Sequence, residues 1–177
     1  MTEEKKAALE ALMKESIHKA AIQVLIEEGL NALTMAKVAA KAKVAKGTLY
    51  NYFKDKKELI QKTHDAISEP VHKFMESLVD SAINPAKKLE QIVHRALECF
   101  EEYREAFLVF SQIITRENDL RQKRRATKEI EKIITQGITQ KIFRDFSAKR
   151  VAEIFINALI GLMEGRLEEK QSSIEED

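Results

Sequence analysis

The chain has 177 residues, of which 44% are hydrophobic and 33% charged, with five Gly, two Pro and no Trp. This composition excludes a disordered chain and a collagen, and a single cysteine, Cys99, excludes a disulfide scaffold. No apolar run reaches the roughly 18 residues of a membrane span, and the charged first residues do not resemble a signal peptide. We therefore expect a soluble, cytoplasmic protein without a membrane partner.

Apolar residues at helical spacing predict an all-α fold of eight helices, with no strand pattern and no internal repeat. The first helix ends at Gly29, the second begins at the capping residue Thr34, and the third runs from about Ala45 to Phe53. The fourth begins at Lys56 or Glu58. These boundaries place one longer helix and two short ones at the start of the chain, ahead of a longer helical region.

The longer region contains two proline signals. Pro70 lies inside the pattern of the fourth helix, which predicts either a kink or break near Ser68 or the start of a new helix. Asn84-Pro85 predicts the start of the fifth helix, because a capping side chain precedes Pro at the first helical position. The remaining helices are marked by Phe107, Phe110, Ile113 and Ile114, by the stretch from about Asp119 to Ile138, and by the stretch after Ser147.

Charge is concentrated in one short stretch. Residues 31–64 contain eight Lys against Asp55 and Glu58, a net charge of +6, whereas the whole chain has +1. Such an island is typical of phosphate binding. A lysine-rich solvated face has the same composition, so the island needs a motif to be interpreted.

Residues 34–58 provide that motif, because two short helices joined by a three- or four-residue turn have the size of a helix-turn-helix unit. In the third helix, Leu49 and Phe53 are four residues apart and are expected to pack into the core. The opposite face carries Lys46, Gly47, Tyr50 and Asn51. An ammonium and a hydroxyl suit phosphate contacts, and an amide suits a base edge. The alternative is a packing helix whose exposed face is merely polar.

The stretches Leu33-Thr34-Met35-Ala36-Lys37-Val38-Ala39 and Val44–Leu59 resemble the tetracycline-repressor-type (TetR, AcrR-type) transcriptional regulators. The specific string is K-G-T-L-Y-x-Y-F-x-x-K-x-x-L, from Lys46 to Leu59. The resemblance implies a bacterial homodimer that binds a palindromic operator in double-stranded DNA, most often as a repressor, and releases it when a small apolar ligand binds. It implies a helix-turn-helix domain at residues 1–58 and a helical-bundle domain for ligand binding and dimerisation at 59–177. By position, it suggests DNA contacts for Thr34, Lys46, Gly47, Thr48, Tyr50, Asn51, Tyr52 and Lys56.

Two positions depart from the family pattern. Lys43 stands in the turn where the family often has Gly, and a left-handed backbone at a non-Gly residue costs about 1 kcal/mol. Ala45 replaces the usual Ser or Thr at the start of the third helix, which removes a cap and a phosphate hydrogen bond. We expect weaker, more lysine-dependent DNA binding from these departures.

The second domain carries most of the aromatic residues. An apolar cavity between its helices could be lined by Phe74, Phe100, Tyr103, Phe107, Phe110 and Phe155, with Cys99, Gln112 and Asn157 as polar groups that orient a ligand. The alternative is that these aromatic side chains simply fill the core. No spacing among them identifies the ligand.

The eighth helix is apolar on more than one side, which indicates burial on both sides. Ile156 and Ile160 add to its apolar stripe, and Gly161 and Gly165 would permit a close helix crossing. We therefore predict that this helix and part of the seventh form a two-fold interface in a four-helix arrangement.

Other classes of function have weaker support. The chain has no HExxH, no Gly-rich phosphate loop and no nucleophile signature, so we expect no enzyme, no catalytic residue and no cofactor. His94, Glu98 and Glu102 share a helix face, but such a face is more often solvated than metal-binding, and no metal site is predicted. The basic run from Arg121 to Lys128 is a second anion patch or a solvated helix. The alternative function is a ligand-binding helical module or an interaction scaffold without sequence-specific DNA binding.

Overall fold

A computed structural model describes residues 2–111 and 116–175, with side chains at 2–111 and 119–167. Its eight helices in this part of the chain confirm the all-α prediction, and no strand occurs there. The helices are α1 (Glu3–Ala32), α2 (Met35–Lys41), α3 (Lys46–Tyr50), α4 (Lys56–Val79), α5 (Pro85–Glu102), α6 (Arg104–Phe110), α7 (Arg116–Thr139) and α8 (Ala148–Glu175).

Several helix boundaries follow the local signals in the sequence. Gly29 has φ 79° and ψ 177°, which interrupts α1 at the expected residue, although the helix resumes to Ala32. The Thr34 hydroxyl accepts a hydrogen bond from the Lys37 backbone N–H at 3.2 Å, and the Asn84 side chain accepts one from the Ala86 N–H at 2.9 Å. The predicted caps of α2 and α5 are therefore confirmed.

Two boundary predictions need correction. α3 ends at Tyr50 rather than near Phe53, because the Asn51 N–H is shared between the carbonyls of Gly47 and Thr48 and the chain then turns. α4 passes through Pro70 from Lys56 to Val79, so Pro70 does not start a new helix. Ile113 and Ile114, predicted for the sixth helix, lie outside the described residues.

The chain divides into two compact units, which differ from the predicted 1–58 and 59–177. The first comprises Met1–Ile67 and Glu105–Ile114, and the second comprises Ser68–Arg104 and Thr115–Asp177. In the first unit, the early part of α4 contributes the buried Leu59 and Ile67. α6 joins it because Phe110 packs edge-on against the buried His64 ring, with 5.3 Å between ring centroids.

In the second unit, α7 packs against α5 and α8 around Ile92, Phe100, Ile130, Ile133, Ile134 and Ile156. In this unit a buried lysine donates a hydrogen bond to the last carbonyl of α4. Lys88, 2% exposed, donates to the Val79 carbonyl and to the Gln136 side-chain oxygen, each at 2.9 Å, while the Gln136 amide donates to the same carbonyl at 2.8 Å. Three helices are thus joined at one carbonyl.

The connection after α7 is closely packed. Lys141 has a left-handed φ of 57°, and the backbone N–H groups of Ile142 and Phe143 both donate to the Gly137 carbonyl. A Cβ added at Gly137 would lie 2.2 Å from Cδ2 of the Phe143 ring. Only a glycine leaves room for this ring to cover the end of the helix.

Candidate nucleic-acid interface

The turn between α2 and α3 is held by backbone hydrogen bonds. The Val44 N–H donates to the Ala39 carbonyl at 2.9 Å, and the Lys43 N–H donates to Ala40 at 3.1 Å. Lys43 has φ 56°, so the left-handed conformation expected at this position is confirmed. A side chain in that conformation costs roughly 1 kcal/mol relative to Gly.

α3 begins without a side-chain cap. Ala45 occupies the capping position with an extended backbone, φ −66° and ψ 145°, and offers no acceptor to the first helical N–H groups. The loss of the cap inferred from the sequence is therefore confirmed. With only five residues, α3 depends on its packing rather than on its own stability.

The two faces of α3 separate as the spacing predicts. Leu49 is completely buried and Phe53 is 3% exposed, and Val38 and Ala39 of α2 are buried as well. Tyr50 is 47% exposed, and Lys46, Gly47 and Asn51 are exposed beside it. The space around the missing Cβ of Gly47 is open to 4 Å, so another molecule can approach the backbone there.

Two lysine ammonium groups lie close to aromatic rings in and next to α3. The Lys46 Nζ lies 5.9 Å from the Tyr50 ring centroid, and the Lys14 Nζ of α1 lies 6.0 Å from that of Tyr52. Thr48 and Tyr52 are half-buried, whereas Thr34 is exposed at the start of α2. Most of the residues suggested to contact DNA are thus exposed, whereas Thr48 and Tyr52 are half-buried.

Lys56 has an internal role in the structure. Its ammonium donates to the Leu30 carbonyl at 3.0 Å, which ties the start of α4 to the end of α1. The resemblance suggested that this residue contacts a DNA phosphate. The structure shows this contact within the first unit, where the Leu30 carbonyl also accepts a hydrogen bond from the Leu33 N–H at 3.2 Å, and the phosphate contact of Lys56 stays a prediction.

Ion pairs reduce the effective charge of the basic island. Lys41 pairs with Glu27 at 2.6 Å, and Lys37 pairs with Glu28. Both acids lie just before the stretch whose charge was counted, and the sequence analysis missed them. Their position could have identified them, because acidic side chains near the C-terminal end of a helix interact unfavourably with its dipole and are stabilised by a nearby cation.

His18 packs against the segment that follows α3 and against the first part of α4. Its Nδ1 lies 3.0 Å from the Thr63 hydroxyl, and its ring meets the Phe53 ring edge-on with 5.3 Å between centroids. Burial lowers the pKa of His18 from 6.5 to about 4, despite the opposing influence of Asp65. This packing therefore requires a neutral imidazole.

Acidification should weaken this packing. The folded pKa of His18 lies below the unfolded value, so its contribution is complete above about pH 6.5 and is lost as the pH falls toward 4. After allowance for its partial exposure, we expect a loss of about 1 to 2 kcal/mol between pH 7 and pH 5. Urea unfolding at both pH values measures it. His18→Gln, which cannot titrate, should reduce the loss by that amount, and an unchanged loss would contradict the assignment.

Residues 17–63, which contain α2, α3 and the buried part of α1, match the family model described as bacterial regulatory proteins, tetR family. This segment of the chain is therefore similar to the TetR family. The match includes every residue for which a DNA contact was suggested.

Two curated relatives of this chain are named as transcriptional regulators. The HTH-type transcriptional regulator YhgD of Bacillus subtilis is 38% identical over 91 residues, which cover 51% of this chain and 46% of YhgD. The HTH-type transcriptional repressor BepR of Brucella suis is 33% identical over 101 residues, covering 56% of this chain and 48% of BepR. The chain thus spans about half the length of these relatives.

A solved structure extends the likeness beyond the matched domain. The Clostridium perfringens putative fatty acid metabolism regulator is 27% identical, with a TM-score of 0.67, covering 88% of this chain and 87% of that one. These relatives are regulators and not enzymes.

The residues predicted to bind a ligand are distributed over both units of the chain. Phe107 and Phe110 belong to the first unit, where both rings meet His64 edge-on. The second unit holds Phe74, Cys99, Phe100, Tyr103, Phe155 and Asn157. Gln112 lies outside the described residues.

Within the second unit these residues differ in exposure. Cys99 and Phe100 are buried, and Phe74, Tyr103 and Phe155 are half-buried. Burial raises the pKa of the Cys99 thiol to about 11, and burial with a hydrogen bond to Glu102 raises that of Tyr103 to about 12. Both groups are thus neutral and compatible with an apolar ligand. Asn157 needs correction: it is exposed on α8 and does not face an interior cavity.

The α8 residues predicted for a dimer interface also differ in their exposure to solvent. Ile156 is 3% exposed and packs inside its own unit, so it is not on an outward face. Gly161 is exposed, while Ile160 and Gly165 are half-buried. Ile154, 66% exposed, and Leu162, 47% exposed, are the large apolar side chains that the described part of α8 exposes most.

No group of three or more His, Cys, Asp or Glu side chains in the described part of the chain could hold a metal ion. Glu98 instead pairs with Arg95 at 3.5 Å. In the basic run of α7, Arg125 pairs with Glu69 at 2.6 Å and with Glu76 at 2.8 Å. Among the described residues, no helix is long and apolar enough to cross a membrane.

Proposed function

We propose that the protein is a DNA-binding transcriptional repressor whose α3 helices read a palindromic operator. The observation that carries this proposal is the exposed face of α3 with Lys46, Gly47, Tyr50 and Asn51, fixed from behind by the buried Leu49. Lys46 and Tyr50 are suited to phosphates and Asn51 to a base edge. The open space at Gly47 allows the DNA backbone to approach closely.

The palindrome requires a homodimer, for which the outward face of α8 is the proposed interface. Ile154, Ala158, Gly161 and Gly165 recur at helical spacing on that face. A Cβ added at Gly161 or Gly165 would meet nothing within 4 Å, so a second helix can approach closely. The dimer would hold the two α3 helices about 34 Å apart, one turn of B-DNA, or a multiple of it.

A small apolar ligand in the second unit is the proposed inducer. Phe74, Tyr103 and Phe155, whose rings are half-buried, and the buried Phe100 would supply the apolar lining of such a site. A ligand that favours another separation of the α3 helices lowers DNA affinity by reciprocal linkage. α4 contributes residues to both units and contains Pro70, so we place the pivot of this response at Pro70.

Selection of random duplex DNA by the purified protein tests the proposed function. Tyr50→Ala should fail to select the palindrome that the unaltered protein enriches, because it removes the largest exposed side chain of α3. Ile142→Ala is the matched control: Ile142 is 40% exposed, lies between α7 and α8, and should select the same palindrome.

Two outcomes would contradict the proposal. If the unaltered protein enriches no sequence, α3 does not read bases, and the alternative of a ligand-binding module or scaffold is favoured. If Tyr50→Ala and the unaltered protein select identical pools, base reading does not depend on this face of α3.

A further inference from the structure

Two acids before the interruption of α1 face two lysines of α2. Glu27 and Glu28, the acidic pair, precede Gly29, where the helix geometry breaks. Acidic side chains near the C-terminal end of a helix interact unfavourably with its dipole. The last turn of α1 has no basic residue of its own to compensate them. The compensation comes from α2.

The lysine pair consists of Lys37 and Lys41, one turn apart on α2. Lys37 pairs with Glu28, and the Lys41 Nζ lies 2.6 Å from a Glu27 carboxylate oxygen. All four side chains reach solvent, with exposures between 35% and 54%. Exposed ion pairs of this kind are weak enough for a competing anion to displace the carboxylate.

The lysine pair lies on the face of α2 that begins at Thr34, one of the proposed DNA contacts. Four other lysines of the basic island, Lys43, Lys46, Lys54 and Lys57, are exposed and form no ion pair with a described residue. The basic island therefore contains lysines whose ammonium groups are available to bind phosphate and two lysines that are already paired with carboxylates.

We infer that the acidic pair lowers the DNA affinity of this domain and thereby sets the working strength of the operator complex. It acts in two ways: it occupies the lysine pair, and its two carboxylates repel any phosphate that comes within a Debye length, about 8 Å at physiological salt. This inference rests on the proposed function. It names Glu27 and Glu28 as affinity-determining residues that oppose binding.

The test compares the double variant Glu27→Gln, Glu28→Gln with the unaltered protein in fluorescence-anisotropy titrations. The probes are a labelled duplex of the enriched sequence and a labelled random duplex. We expect about threefold tighter binding for each ion pair removed, so about tenfold for the double variant on both probes. The dependence of log K on log salt should steepen by about 0.9 for each additional phosphate contact.

A matched control exists on the same helix. Glu10 and Glu15 pair at 2.7 Å with Lys14 and Lys19 of α1 itself, so Glu10→Gln, Glu15→Gln removes the same charge without freeing an α2 lysine. Its affinity and salt slope should stay close to those of the unaltered protein. Equal tightening in the control would overturn the inference, because net charge alone would then explain the effect.

Replacement of the lysine pair separates this mechanism from a change in folding. Lys37→Gln, Lys41→Gln should weaken binding little in the unaltered protein and about tenfold in the acid-free variant, because only there do the lysines meet phosphate unopposed. Equal losses in both backgrounds would overturn the inference. If the unaltered protein binds neither probe, the proposed function fails as well; if it binds and the acid-free variant binds equally, only the inference fails.

Discussion

A charge at Ile154 should produce monomers that remain folded. Ile154 is 66% exposed on α8, so an Arg there costs the isolated subunit little but places a cation in the proposed two-fold contact. Light scattering should report half the mass of the unaltered protein. Operator affinity should fall on the order of 100-fold, because the two α3 helices then bind independently.

Two further Arg variants define the controls for this experiment. Ile156→Arg buries a charge in the core of the second unit, where Ile156 is 3% exposed, so it should unfold the protein rather than dissociate it. Ile142→Arg, at an exposed position outside α8, should leave both mass and stability unchanged. A full-mass dimer from Ile154→Arg would place the interface elsewhere.

Loss of Lys88 should be among the most destabilising single changes in the second unit. Lys88→Ala leaves a cavity and removes the donor to the Gln136 oxygen, while the Val79 carbonyl keeps only one of its two donors. Cavity formation and an unpaired buried acceptor together should lower the free energy of unfolding by about 3 to 5 kcal/mol. Urea unfolding followed by circular dichroism measures this loss.

The neighbouring lysine supplies the control. Lys87 is exposed and pairs with Glu90 at 2.6 Å, so Lys87→Ala should change the free energy of unfolding by less than about 1 kcal/mol. Lys88→Met, which restores the aliphatic volume but not the donors, should lie between the two Ala variants. Equal stability of Lys87→Ala and Lys88→Ala would show that the buried hydrogen bonds contribute nothing.

Features that depend on neighbours along the chain were predictable from the sequence. Thr34, Asn84 and Gly29 signal helix ends through their own side chains or backbone, and Leu49 identifies the buried face of α3 by simple spacing. A left-handed backbone at Lys43 was considered because the family that the sequence resembles often has Gly at this turn position. The other inferences use residues no more than about four positions apart.

Features that depend on distant residues were not predictable. α8 is apolar around most of its circumference, so periodicity does not distinguish Ile156, which faces its own unit, from Ile154, about 160° away on the other side. The burial of Lys88 requires Gln136, 48 residues later. The pairing of the acidic pair with α2 likewise follows from the crossing of two helices, which no local pattern encodes.

The connection between α7 and α8 gives one residue influence over a surface that it does not touch. Gly137 accepts the Phe143 ring at a distance that no larger residue permits, and five residues after that ring α8 begins. The position of the ring fixes how the chain enters α8, and that entry fixes the rotation of the helix about its axis. The side of α8 on which Ile154 is exposed therefore depends on a missing methyl group seventeen residues earlier, so the proposed dimer would be subject to selection at a glycine that is buried within each subunit.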